Sequence, residues 1–301
     1  MNKVTLILGC VLGMGCSTTT THLSSPHALE PKHIEMTGAY AWQVNGVVVE
    51  KSLESSHVLY QQVSEEDRQM TPDEFFGLLD TTLAWSLLTP GGSSEMIGRI
   101  GITDKLLEGI DVGFKTDFTA IKTDVKWQLW ESTDGRQAVA WNGAYAWQNN
   151  VVPPKIEWIT NSTFSRHDVE TSLMWGIRKS GVAELYAGPR VIYSKINAQP
   201  NLSSEMTQMI PEELSAFNPS EYFADERMLY YGGTIGTRLG YHVLFLDLEL
   251  NCFWVQFEPL VVAQRRDLSG LLVSPTVGLT IVPMAYTSMK SQLELKLENR
   301  Y

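Results

Sequence analysis

Ile121-Lys122-Thr123-Asp124-Val125-Lys126-Trp127-Gln128-Leu129 is the stretch on which the reading of the fold turns. Ile121, Val125, Trp127 and Leu129 share one parity, and Lys122, Asp124, Lys126 and Gln128 share the other, which is the period of a strand with one apolar and one polar face. The same alternation recurs on both sides of it, from Thr81 to Val282. Its apolar members are Leu83, Trp85 and Leu87, then Ile100 and Ile102, then Ile110, Val112 and Phe114. Beyond the quoted stretch come Val139, Trp141, Tyr145 and Trp147, then Val169, Leu173, Trp175 and Ile177, then Leu185, Val191 and Tyr193. Leu229, Tyr231, Ile235 and Leu239 follow, with Leu244, Leu246, Leu248 and Leu250, and Val273, Val277, Leu279 and Ile281. Together these predict about ten antiparallel strands.

Alternation alone leaves open which face is enclosed, because soluble barrels turn the apolar face inward. The polar face is rich in Gly, Ala, Ser and Thr, as a crowded lumen requires. The apolar face is bulky throughout and carries Trp or Tyr near several strand ends, as an aromatic girdle does. Short links at Asp104-Lys105, Thr133 to Arg136, Lys179 to Gly181 and Gly240 to His242 alternate with long ones at Asn149 to His167, Lys195 to Glu226 and Glu258 to Ser269. These features predict an all-β fold, a closed antiparallel transmembrane β-barrel with turns at one end and loops at the other. Residues 81–283 are expected to form it.

The run Arg99-Ile100-Gly101-Ile102-Thr103-Asp104-Lys105-Leu106-Leu107-Glu108-Gly109 resembles a strand-turn-strand of small bacterial outer-membrane β-barrels, and Tyr186-Ala187-Gly188-Pro189-Arg190 is similar to another of their strands. The resemblance implies an architecture surrounded by outer-membrane lipid and names no activity.

Residues 1–15 read as a secretory signal, with Lys3 ahead of an apolar run from Val4 to Leu12. It resembles a bacterial lipoprotein signal, which implies that Cys16 is acylated and becomes the first residue of the mature chain, tethered at the periplasmic face. Gly13 stands where such signals usually have Leu. Ile7-Leu8-Gly9-Cys10 fits better letter by letter but leaves a short apolar run, and an unlipidated signal is the third reading. Residues 16–80 are expected to be a periplasmic segment: a flexible tether over Ser17 to Pro31, a small hairpin turning at Asn45-Gly46, and a short helix opened by the capping box Thr71-Pro72-Asp73-Glu74 and running to about Leu79. Residues 284–301 are a tail or a last strand, which with the hairpin would raise the count to twelve. Gly38-Ala39-Tyr40-Ala41-Trp42-Gln43 recurs as Gly143-Ala144-Tyr145-Ala146-Trp147-Gln148, read as convergence on a good strand sequence.

The net charge of −11 and the lack of a Lys/Arg cluster argue against nucleic acid. On the polar parity Arg99, Lys122, Lys126, Arg190 and Arg238 accompany Asp111, Asp124, Glu170, Glu184, Asp247 and Glu249, and in so narrow a barrel they are expected to pair and fill the lumen. Met206, Met209, Phe217, Tyr222 and Phe223 in the longest loop mark a partner-binding surface or a lid. His167-Asp168 cannot form a dyad within a strand, because neighbours point to opposite faces. No catalytic motif, metal set or cofactor cradle is present. The expected function is a structural or interaction component of an envelope complex, with other envelope proteins as partners. A narrow pore is the alternative, and a barrel-borne hydrolase the second one.

Overall fold

The computed structural model describes residues 20–64, 71, 73–74, 76–77, 80–81, 84, 88, 91–102, 109–117, 119–149, 159–179, 182–202, 226–241, 243–261 and 264–283. Ten strands close into one antiparallel barrel: β1 (Ile34–Asn45), β2 (Gly91–Gly101), β3 (Ile110–Thr116), β4 (Ala120–Glu131), β5 (Gln137–Asn149), β6 (Ile159–Lys179), β7 (Ala183–Leu202), β8 (Glu226–Tyr241), β9 (Leu244–Phe257) and β12 (Gly270–Ile281). Between the last two, β10 (Leu260–Val261) and β11 (Gln264–Arg265) form a separate small hairpin. Consecutive barrel strands pair throughout, and β1 closes the wall by pairing with both β2 and β12.

The count agrees with the sequence reading, but its membership does not. The stretch around Asn45-Gly46 is not a hairpin. Residues 34–45 are the first barrel strand, and Asn45 caps a helix, α1 (Gly46–Ser64), its Oδ1 accepting the Val47 N–H at 3.0 Å. A Cβ on Gly46 would sit 3.3 Å from the Leu271 carbonyl on β12, a tight approach that glycine relieves. Leu83, Trp85 and Leu87, expected as a strand, lie outside the described residues, and the described Ala84 among them is helical. The capping box closes as expected, with Glu74 accepting the Thr71 N–H at 2.9 Å. The helix it opens continues past Leu79 through Asp80, Thr81 and Ala84, and Leu88 N–H bonds to the Ala84 carbonyl at 2.9 Å. So short an alternation also fits helical spacing, and the cap upstream decided it. The barrel therefore runs over residues 34–281 rather than 81–283. The twelve-strand alternative fails because β1 is already in the wall; residues 284–301 lie outside the described residues.

All the links β2–β3, β4–β5, β6–β7 and β8–β9 lie at one end, together with the start of β1 and the finish of β12. At the other end lie α1, the second helical stretch, the β10–β11 hairpin and the links from β5 to β6 and β7 to β8. The helices are thus at the loop end and not on the short-turn side where the sequence reading put them. There they tie together: Thr81 Oγ1 donates to the Lys51 carbonyl at 3.0 Å, and Arg266 stacks 4.6 Å over the Phe76 ring. β6 and β7 also outrun their neighbours. Above Asn149↔Ser165 and Ile196↔Glu226 they pair only with each other, up to Ile159↔Leu202, so part of what read as loop is a two-stranded ribbon.

Outward and inward faces follow the parity of the sequence. Trp127, Leu173 and Leu279 are 49%, 45% and 50% exposed, while Lys126, Asp111 and Arg190 are buried. Inside the loop end, Ile192, Ile196, Met228, Tyr230, Phe253, Val255 and Phe257 make an apolar inner layer on β7, β8 and β9.

Candidate functional site

The lumen is occupied by the chain itself. Residues 20–31, expected to be a free tether, run down the interior from the loop-end half to the short-turn end before the chain turns back into β1. Thr20 reaches Gln43 and Ser274 near the loop ends of β1 and β12. Ala28 and Leu29 reach Gln128 and Asp111 near the other end.

This segment makes no sheet hydrogen bonds, so its backbone needs other partners. The lumen charges supply them by sign. Carboxylates accept N–H groups: Glu249 takes those of His22 and Leu23 at 2.7 and 2.6 Å, and Asp111 takes that of Leu29 at 3.2 Å. Cations donate to carbonyls: Arg190 to Thr20 at 2.6 Å, Lys115 to Thr21 at 3.2 Å, and Lys126 to Ser25 and His27 at 2.8 and 2.9 Å. Glu184 accepts from Ser25 Oγ at 2.5 Å and lies 2.8 Å from His27 Nδ1. Room is made by glycine: a Cβ on Gly176 would lie 2.4 Å from Pro26, and one on Gly278 would lie 2.9 Å from Leu23.

The same side chains pair with one another across the lumen. Arg99 bridges Asp111 and Asp124, and Lys126 meets the second oxygen of Asp111 at 2.8 Å. Glu170 is shared by Lys122 at 2.5 Å and Arg190 at 2.7 Å. Arg238 holds Glu35 through two nitrogens, at 2.8 and 2.9 Å, and Asp247 at 2.7 Å. All eleven charged residues singled out on the polar parity therefore face the interior. Sequence reasoning missed Glu35, Glu95, Lys115, Arg166 and Asp168, which pair in the same interior as Lys115 with Glu95 at 2.9 Å, Arg166 with Asp168 at 2.8 Å, and Glu35 with Arg238. Parity was the usable signal for Lys115 and Asp168, which stand on the polar side of strands read from the sequence; Glu95 and Arg166 stood in stretches read as links, and Glu35 just ahead of the stretch read as a hairpin. The interior keeps a cavity of about 260 Å³ at the short-turn mouth, lined by His27, Glu30, His33, Arg178 and Phe245 among others.

Outside the lumen, His167 points away from the interior and bonds to the Tyr145 hydroxyl at 2.6 Å, whereas Asp168 points inward. Cys252 lies on the outward face of β9. Cys16 and the loop residues Met206, Met209, Phe217, Tyr222 and Phe223 lie outside the described residues. No set of three or more metal-binding side chains occurs among the described residues.

A closed sheet with no edge, a continuous apolar exterior and charges paired within defines a transmembrane β-barrel of the bacterial outer-membrane type. In comparison with known proteins, no family model and no curated sequence matches the chain. Solved structures similar to it include Neisserial surface protein A, at 8% identity and a TM-score of 0.32, covering 83% of this chain and 96% of that one. The translocator domain of autotransporter NalP from Neisseria meningitidis is similar at 7% identity and a TM-score of 0.37, covering 84% and 89%. OprG from Pseudomonas aeruginosa is similar at 8% identity and a TM-score of 0.32, covering 86% and 100%. The class rests on the closed sheet and its apolar exterior, not on these likenesses.

Proposed function

We propose that the protein is a sealed outer-membrane scaffold, lipid-anchored through Cys16, that acts as a structural or interaction component of an envelope complex. The observation that carries this reading is the Thr20–Leu29 segment bonded into the lumen. A segment several of whose backbone N–H and C=O groups are taken up by buried charges supports a closed state with a narrowed path for solutes. A pore is correspondingly disfavoured, and His167, held on the outer wall away from Asp168, offers no general base.

With the lumen filled, the surface left for recognition is the loop end: α1, the second helical stretch, the β6–β7 ribbon and the loop with Met206, Met209, Phe217, Tyr222 and Phe223. Long loops over a rigid wall are where barrels of this class place recognition. Cross-linking in intact cells followed by detergent purification tests the reading. Wild-type protein is expected to bring specific envelope proteins with it, and a variant lacking residues 203–225 to lose them while still folding. An unchanged set of partners in that variant, or none in the wild type, refutes it.

A further inference from the structure

His167 on β6, Lys195 on β7 and Arg227 on β8 occupy one row of the wall. The register pairs His167 with Lys195 and Lys195 with Arg227, and all three are outward and exposed. Neighbouring strands are about 4.8 Å apart, so the row spans about 10 Å. Trp147 stands opposite His167 on β5, and Tyr145 fixes the imidazole by its hydroxyl bond at 2.6 Å to Nδ1. Among the described residues of the barrel strands the other outward cation is Lys179, at the opposite end of β6.

The height of the row identifies its surroundings. Between His167 and Lys179 the outward residues of β6 are Val169, Thr171, Leu173, Trp175 and Ile177, with no charge among them. That stretch is about 40 Å long at ~3.3 Å per residue, and a tilt of about 40° makes its rise ~30 Å. The apolar band of such barrels is about 25 Å tall. The row therefore stands just beyond the hydrocarbon, at the headgroups of the leaflet on the loop side, with Tyr145 and Tyr193 on the girdle below it.

We infer that His167, Lys195 and Arg227 form a binding site for the phosphate of an anionic lipid in the loop-side leaflet. Arg and Lys on adjacent strands present donors to a phosphate lying flat on the wall, Arg in fork geometry and Lys as a point charge. The Trp147 and Tyr145 rings offer an amphipathic surface for the attached sugar or glycerol. The nearby carboxylates are Glu226, in the inward register beside Arg227, and Glu258, just after β9.

The test uses the full-length protein purified in neutral detergent, with lipid binding read by native mass spectrometry. Diphosphorylated lipid A and phosphatidic acid are expected to bind at least tenfold more tightly than phosphatidylcholine. The Lys195→Gln/Arg227→Gln double variant is expected to lose at least tenfold of that affinity, and Lys179→Gln none. Equal loss in Lys179→Gln would show general charge attraction and overturn the site, as would wild-type affinity in the double variant. Complete displacement by millimolar inorganic phosphate would overturn the lipid as its source. Should the double variant not fold, Arg227→Gln alone, at the exposed rim, is read by the same criteria. The outcome is independent of what the loops bind.

Discussion

Glu249 accepts the backbone N–H of Leu23 at 2.6 Å and that of His22 at 2.7 Å, so one carboxylate on β9 holds two successive peptide groups of the N-terminal segment. Tyr186 donates to the same group at 3.1 Å, and Asn251 at 2.8 Å. Removing a buried acceptor leaves donors unsatisfied, at a cost of roughly 1–3 kcal/mol each. Glu249→Ala is therefore expected to lower stability by several kcal/mol, and Glu249→Gln, which keeps an acceptor, by clearly less. Thermal unfolding in detergent measures both. Equal stability of Glu249→Ala and wild type would mean that the segment is not held as described.

The second prediction concerns conduction. In planar bilayers the wild type is expected to carry no steady current. A variant lacking Thr20–Leu29 leaves Lys115, Lys126, Arg190, Glu184 and Glu249 facing the vacated space. It is expected to show discrete, salt-dependent openings. Silence in the deletion variant, with folding shown by circular dichroism, would place the seal in the strand side chains alone.

Much of the wall could be read from residues 110–281 because parity there is unambiguous: Val125 and Trp127 outward, Asp124 and Lys126 inward. What escaped was set by context. Asn45-Gly46 is equally good as a hairpin turn and as a helix start, and here β1 stays paired with β12 up to Asn45, which caps the helix that follows. The repeat did hold the clue. Gly38 to Gln43 and Gly143 to Gln148 occupy equivalent places on β1 and β5, with Gln43 and Gln148 both inward, so the likeness marked a barrel strand. The plug was illegible for another reason. Thr20 to Leu29 has the composition of a linker, and its order comes from lumen side chains, most of them charged and more than sixty positions away, which no local pattern encodes.

A third test bears on the membrane itself. Leu173 is outward near the middle of β6, 45% exposed in the protein alone, between Trp175 and Val169. On a lipid-facing wall, an Arg at midplane costs about 2–4 kcal/mol, falling to about 0–1 near the interface. Leu173→Arg is expected to show the larger cost in urea unfolding from lipid vesicles, and Tyr193→Arg, nearer the loop end, the smaller. Two neutral substitutions would mean that water, not acyl chains, covers this face.

The loop-end cap carries a pH dependence of definite sign. Burial raises the Asp80 carboxyl above the usual carboxylate range, its Arg266 partner at 3.9 Å being too distant to offset the lost hydration. A raised carboxyl binds its proton more tightly when the helical stretch is docked than when it is free. Its contribution is thus fully present below the usual carboxylate range and is lost as pH rises through the raised value. Hydrogen exchange over residues 73–84, corrected for intrinsic rates, is expected to show stronger protection at the acidic end of that window. Asp80→Asn should abolish the difference. Persistence of the difference in Asp80→Asn would assign it to another group.

The last prediction is the side on which the mature N-terminus emerges. Thr20 bonds to Gln43 and Ser274 in the loop-end half of the lumen. From Ser274 down β12 to Ile281 is about 23 Å of strand at ~3.3 Å per residue, and that part of the lumen is filled by the chain from Thr21 to Leu29. The link from Cys16 to Thr20 spans at most about 14 Å. It cannot turn back to the short-turn mouth, so an acyl chain on Cys16 would reach the leaflet on the loop side and not the periplasmic one. An epitope inserted between Ser17 and Thr18 is expected to bind antibody on intact cells. A second epitope within residues 203–225 reports which end of the barrel faces out. Loop epitope exposed and N-terminal epitope hidden until permeabilisation would refute the threaded path, whereas both hidden would reverse the barrel and leave the path intact.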